Sequence, residues 1–142
     1  MEVEFAFRRE ESKIFGSIYR PVAKVTLVHR NHHVPEIFYV DSGADLTVIP
    51  LSIGQILSFE NPKPEEIIEI KGIGEKGIPI VVRKVTMIFA ATHMRVRIAW
   101  ALIENVPLLL GREDFFSSYN ITFVKNKKTI FQSEFFRKRE RG

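Results

Sequence analysis

Asp41 and Asp45 stand inside Phe38-Tyr39-Val40-Asp41-Ser42-Gly43-Ala44-Asp45-Leu46-Thr47-Val48-Ile49, a stretch otherwise dominated by apolar and β-branched residues. Only one other aspartate occurs in the chain, Asp114. Phe38-Tyr39-Val40 reads as a buried strand, and a carboxylate there must be hydrogen-bonded or its pKa rises. Ser42 and Gly43 then break the strand, because serine forms turns and glycine permits tight backbone. Asp41 therefore falls at a strand end, on a loop held by rigid elements, where functional groups gather. A carboxylate so placed can serve as a general acid or base. It can equally close an ordinary Asx-turn.

The elements that must hold this loop are strands. The dominant period is two: Val3, Phe5 and Phe7 alternate with Glu2, Glu4 and Ala6, and Met94–Leu102 alternates cleanly. Further strands are expected at Lys24–Val28, Ile37–Val40, Thr47–Ile49, Ile67–Ile70, Ile78–Phe89, Leu108–Leu110, Ile121–Val124 and Thr129–Phe131. Short strands separated by turn residues indicate an all-β barrel or sandwich. The stretch from His29 to Glu36 reads as a polar hairpin loop, and Lys125–Lys128 as a turn. Helix is expected only at Leu51–Phe59, for a turn or two, and at Arg112–Tyr119, which opens after Gly111 with Glu113 and Asp114 in its first turn. Glu60–Glu66 reads as a surface connection, and Trp100 as a core residue.

At 142 residues the chain suits one domain with a real core. It has no cysteine, which removes disulfides, thiolate metal sites and cysteine nucleophiles. The N-terminus lacks the basic-then-apolar pattern of a secretory leader, and no apolar run approaches about 18 residues. A soluble, cytoplasmic protein is the expectation, with no membrane partner. Much of the net charge of +4 comes from the tail Arg137-Lys138-Arg139-Glu140-Arg141, so the nearly neutral body argues against a nucleic-acid face.

Asp41-Ser42-Gly43-Ala44-Asp45, with its apolar flanks, resembles the active-site loop of the retropepsins, the retroviral-type aspartic proteases. Other segments agree in order. Arg20-Pro21-Val22 resembles the start of the family's first hairpin. Ile70-Lys71-Gly72-Ile73-Gly74 resembles its flap, although Glu75-Lys76 are charged where retroviral flaps are usually small. Leu108-Leu109-Leu110-Gly111-Arg112 resembles its second hydrophobic-hydrophobic-glycine element, and Asn120–Phe123 its closing strand.

The resemblance implies a closed retropepsin-like β-barrel with one short C-terminal helix, acting as a homodimer. It divides the chain into an N-terminal extension strand (1–19), a retropepsin-like domain (20–132) and a basic tail (133–142). It implies an aspartic endopeptidase that needs no cofactor or metal and acts on an extended peptide or protein. Asp41 would be catalytic, on a loop completed by Ser42, Gly43 and Ala44. Hydrolysis by this route holds a water between two carboxylates that share one proton, as is established for aspartic-protease dyads. The chain carries a single Asp-Ser-Gly, so a two-fold axis must bring Asp41 beside its mate. Asp45 would be a structural brace, ion-paired with Arg112 and with Arg20 of the other copy. Gly72, Ile73 and Gly74 would form the flap tip. Ala44, Val48, Ile73, Ile78 and Pro107 would wall the substrate pocket, whose apolar character Leu46 would extend.

The alternative is a dimeric peptide-binding or dimerisation module that keeps the fold but cleaves little. Intact Asp41-Ser42-Gly43 favours the enzyme. A metal site at His29, His32 and His33 is disfavoured by Arg30 among them and by Glu36 being the only nearby carboxylate. The segments Glu2–Phe7 and Thr129–Phe135 are expected either to enlarge the dimer interface or to cap the barrel.

Overall fold

The computed structural model describes residues 1–71 and 76–133. Among the described residues twelve strands follow one another in chain order, most of them built on alternating apolar residues. These are β1 (Glu2–Ala6), β2 (Arg8–Ser12), β3 (Gly16–Arg20), β4 (Val22–His29), β5 (His32–Val40), β6 (Thr47–Ile49), β7 (Ile68–Ile70), β8 (Ile78–Phe89), β9 (Thr92–Ala101), β10 (Leu109–Leu110), β11 (Asn120–Val124) and β12 (Lys128–Gln132). The main sheet runs β4-β5-β10-β6-β9-β8-β7, and β4 also pairs with β8. That last pairing closes six strands into a barrel and leaves β7 as an appendage. Closure removes free edges from the ring.

Most strand positions match the expectations, and the differences have local causes. The polar loop between β4 and β5 shrinks to Arg30-Asn31, because His29 pairs with His32 across the hairpin. Arg30 adopts left-handed backbone, with φ of 56°. Pro35 lies within β5 opposite Thr26, where only one side of the strand is paired. The first helix, α1 (Leu51–Ile56), stops earlier than expected. The second is a five-residue π-type segment, Arg112–Phe116. The connection before β7 carries a short 3-10 turn, Pro64–Glu66, whose Glu66 carboxylate bonds Arg83 at 2.8 Å.

The core is aromatic at one end. Phe89 closes β8 and meets Phe115, Phe131, Tyr119 and Phe5 with ring centroids 4.9–5.7 Å apart. Phe5 comes from β1 and Phe131 from β12, which form a three-stranded sheet in the order β1-β12-β11. The Glu2–Phe7 segment and the described part of the Thr129–Phe135 segment therefore pack on the core within one chain. Tilted and edge-to-face rings of this kind add to the area they bury. Trp100 is buried, with its indole N–H donating to the Leu51 carbonyl at 3.1 Å.

The hairpin β2–β3 lies outside both sheets. Its sequence, Arg8-Arg9-Glu10-Glu11-Ser12 to Gly16-Ser17-Ile18-Tyr19-Arg20, lacks clean alternation, so only an extension strand was expected there. Gly16, at φ of 72°, lets the chain reverse. No helix of the described residues is long and apolar enough to cross a membrane. Gly72, Ile73 and Gly74, and the tail from residue 134, lie outside the described residues.

Candidate active site

Asp41 follows the last residue of β5, and its loop runs to Thr47 at the start of β6. The two-residue strand β10 passes between these flanks. It runs parallel to β5, with Leu109 opposite Tyr39 and Leu110 opposite Val40, and antiparallel to β6, with Leu109 opposite Val48. The Asp41 amide donates to the Leu110 carbonyl at 3.0 Å. Beyond β10, the amides of Arg112 and Glu113 donate to the carbonyls of Ala44 and Asp45 at 2.8 and 2.7 Å. The loop is thus tied to rigid backbone at both ends.

Gly111 makes the tie possible. A Cβ built there would lie 2.4 Å from the Leu46 carbonyl, far inside contact distance. The same residue donates its amide to the Thr47 hydroxyl at 3.0 Å. Close approach, rather than backbone strain, explains the glycine.

Within the loop, Asp41 Oδ1 accepts the Gly43 amide at 2.9 Å, and the Asp41 carbonyl accepts the Ala44 amide at 3.2 Å. The Asx-turn is therefore real, and it orients the carboxylate. Asp41 remains half-buried, while Ser42 and Gly43 are exposed. Every brace is made by backbone or by the Thr47 hydroxyl, which leaves the outer face of the loop open.

Asp45 and Arg112 behave differently from the expected brace. Both are exposed, and among the described residues no ion pair joins them. The backbone amides next to them hold the two segments together instead. Glu113, not Arg112, makes an ion pair from the helical segment, with Arg97. Arg20 is engaged in its own chain by Glu10, Nε to Oε1 at 3.1 Å.

A cleft of about 430 Å³ opens beside Asp41, walled by Pro21, Val40, Pro107 and Leu109 and edged by Glu10 and Tyr39. Pro107 is thus brought to Asp41. Val48 and Ile78 belong to a neighbouring apolar cluster with Ile80 and Ala99, and Leu109 bridges that cluster to the cleft.

Tyr39 and Glu10 were missed in the sequence. Tyr39 had a signal: it stands two residues before Asp41 with Val40 buried between them, so strand parity puts both on one side. Glu10 had none, because its place depends on the β2–β3 hairpin folding back. The Tyr39 hydroxyl donates to Glu10 Oε2 at 2.6 Å, and Arg8 Nη2 donates to the same phenol oxygen at 2.9 Å. Arg8 also bonds Glu10 through Nε and Nη2. The Tyr39 hydrogen bond, the largest influence, holds the Glu10 carboxyl below its ordinary range against the opposing effect of burial, with Arg8 and then the charge of Arg20 adding to it.

The six-strand barrel, with β10 threaded beside the Asp-Ser-Gly loop, matches solved structures. One is a retropepsin-like aspartic protease from Rickettsia conorii, with a TM-score of 0.63 and 15% identity, over 92% of this chain and 98% of that one. Another is the EIAV protease complexed with the inhibitor HBY-793, with a TM-score of 0.52 and 25% identity, over 66% of this chain and 82% of that one. The fold is retropepsin-like. No family sequence model and no curated protein matches the chain. In this retropepsin-like barrel His29 and His32, paired across their hairpin, each take a separate local contact. His29 Nδ1 lies 2.8 Å from the Leu57 carbonyl, and His32 Nε2 lies 3.0 Å from the Ser58 hydroxyl. Among the described residues no group of His, Asp and Glu is gathered to hold a metal.

Proposed function

We propose that the protein is an aspartic endopeptidase whose active unit is a C2 homodimer. The observation that carries this reading is Asp41 itself. Its carboxylate is oriented by the Gly43 amide, on a loop braced from behind and open in front, beside a cleft in a retropepsin-like barrel. A chain with one Asp-Ser-Gly supplies half a dyad, and a two-fold axis through the open face supplies the other half.

The chemistry follows from two like charges held close. They share one proton, so one carboxyl is ionised and the other is not. The ionised Asp41 takes a proton from the water between them as its oxygen attacks the peptide carbonyl carbon. The protonated Asp41 of the second copy gives its proton to the carbonyl oxygen, producing a neutral gem-diol. Collapse breaks the C–N bond, and a proton passes to the leaving amine. The Gly72–Gly74 segment would cover an extended substrate bound as an added strand. Arg20 of the second copy stays a candidate partner for Asp45 across the two-fold axis.

The test is cleavage of a peptide library from acidic to neutral pH, with and without pepstatin, by wild type and Asp41→Asn. Asparagine keeps an oxygen for the Gly43 amide and loses the acid–base function. Cleavage should fall by about 10³-fold or more. Cleavage that survives the substitution overturns the reading. A verified dimer that binds peptides without cleaving them would instead be a peptide-binding module.

A further inference from the structure

The cleft beside Asp41 does not end at Tyr39. A second cavity, about 870 Å³, lies on the far side, and Tyr39 and Pro107 line both. The second cavity is bounded by Ile37 and Val106, and by Arg8 and Lys24. Whether the two spaces act as one groove or as a short pocket with a back wall depends on where the Tyr39 ring sits.

That ring is held from the N-terminal hairpin. Its hydroxyl is fixed by Glu10 and Arg8 at 2.6 and 2.9 Å. The Arg8 guanidinium lies 5.1 Å from the ring centroid and that of Arg20 lies 5.9 Å away. Glu10 is the hub, since it bonds the phenol and both guanidinium groups. Among the described residues β2 and β3 pair with each other alone, with Arg8 opposite Arg20 at the base. Among the described residues the phenol's hydrogen bonds come from the hairpin, so the hairpin sets the position of a wall two residues from Asp41.

We propose that Glu10 is a positioning residue that, through Tyr39, limits the size of the substrate side chain admitted beside Asp41. This rests on the peptidase reading above and adds a substrate class to it. The favoured residue is apolar and of medium size, such as leucine, because Pro21, Val40, Pro107 and Leu109 wall the space that Tyr39 closes. Release of the phenol joins the two cavities and admits tryptophan.

The experiment compares matched peptides carrying leucine, phenylalanine or tryptophan beside the scissile bond. The proteins are wild type, Glu10→Ala, Glu10→Gln, Tyr39→Phe and the double variant Glu10→Ala/Tyr39→Phe. Melting temperature and sedimentation establish that each is folded and in the wild-type oligomeric state. The ratio of kcat/KM for tryptophan over leucine should rise about tenfold in Glu10→Ala and in Tyr39→Phe. The change should appear in KM more than in kcat. Glu10→Gln, which keeps an acceptor for the phenol, should lie closer to wild type. The double variant should match either single one, because both break one link.

The same peptides are titrated by binding in an Asp41→Asn background, with and without Glu10→Ala. An unchanged size preference, or effects that simply add, in a cleaving enzyme overturns the role of Glu10 alone. Absence of cleavage by wild type, with the size shift present in binding, overturns the peptidase reading and leaves Glu10 supported. Neither binding nor cleavage overturns both.

Discussion

The Gly111 amide donates to the Thr47 hydroxyl at 3.0 Å, with both groups buried. This bond joins the end of β10 to the start of β6 and so ties down the loop that carries Asp41. Thr47→Val would leave a buried amide unpaired, at a cost of about 1–3 kcal/mol. Thr47→Ser keeps the hydroxyl and loses one methyl, about 1 kcal/mol. Chemical denaturation of the two variants should separate the hydrogen bond from the packing. A Thr47→Val variant as stable as wild type would show that the bond contributes nothing.

Gly111→Ala should be harsher. Its Cβ would meet the Leu46 carbonyl at 2.4 Å and the Thr47 amide at 2.8 Å, and this one peptide group cannot move aside as a flexible side chain can. A loss of about 3 kcal/mol is expected, visible in a thermal melt. A wild-type melting curve would mean the two segments are not packed this closely.

The terminal strands should stabilise the single chain and not only an assembly. Phe131 on β12 is fully buried against Phe5, Phe89 and Phe115. Phe131→Ala should cost about 3–5 kcal/mol. Removal of everything after Val124 would take away β12 and with it the partner of β1. Such a truncation should melt at lower temperature at any protein concentration. A loss confined to dilute solution would place these strands in a dimer interface instead.

Glu10 predicts a pH dependence of definite sign. Its folded-state pKa is lowered, first by the Tyr39 hydrogen bond and then by Arg8. The stabilisation is therefore complete above the ordinary carboxylate value, 4.5, and is lost as pH falls through the lowered folded value. The melting temperature of wild type minus that of Glu10→Gln should be greatest above about pH 5 and shrink towards about pH 3. A difference that grows on acidification would contradict the network. Because the tie outlasts the ordinary titration of a carboxylate, Tyr39 stays held in mildly acidic solution.

Much of this molecule is legible from period two alone. The limits of β6 and β8 are readable because each is a run rich in β-branched residues, the first closed by Pro50 and the second opened after Gly77. Asp41-Ser42-Gly43 announces a loop at a strand end by the chemistry of serine and glycine. The hairpin β2–β3 is not legible, since charged residues on both of its faces leave no apolar stripe to count. The helix expected over Arg112–Tyr119 shortens to Arg112–Phe116, where two of its leading amides bond the Asp41 loop.

The amino-acid order by itself determined most of the strands and the position of Asp41 at a strand end. Those follow from side-chain chemistry and local pattern. Tertiary structure alone decided what braces the loop and what walls the cleft. Asp45 and Arg112 carry the right charges for a brace, yet the braces are backbone amides brought close by Gly111. Glu10 and Tyr39 lie far apart in sequence and come within 2.6 Å because a hairpin folds back on β5. Local pattern encodes periodicity, whereas contacts between distant segments depend on how the barrel closes.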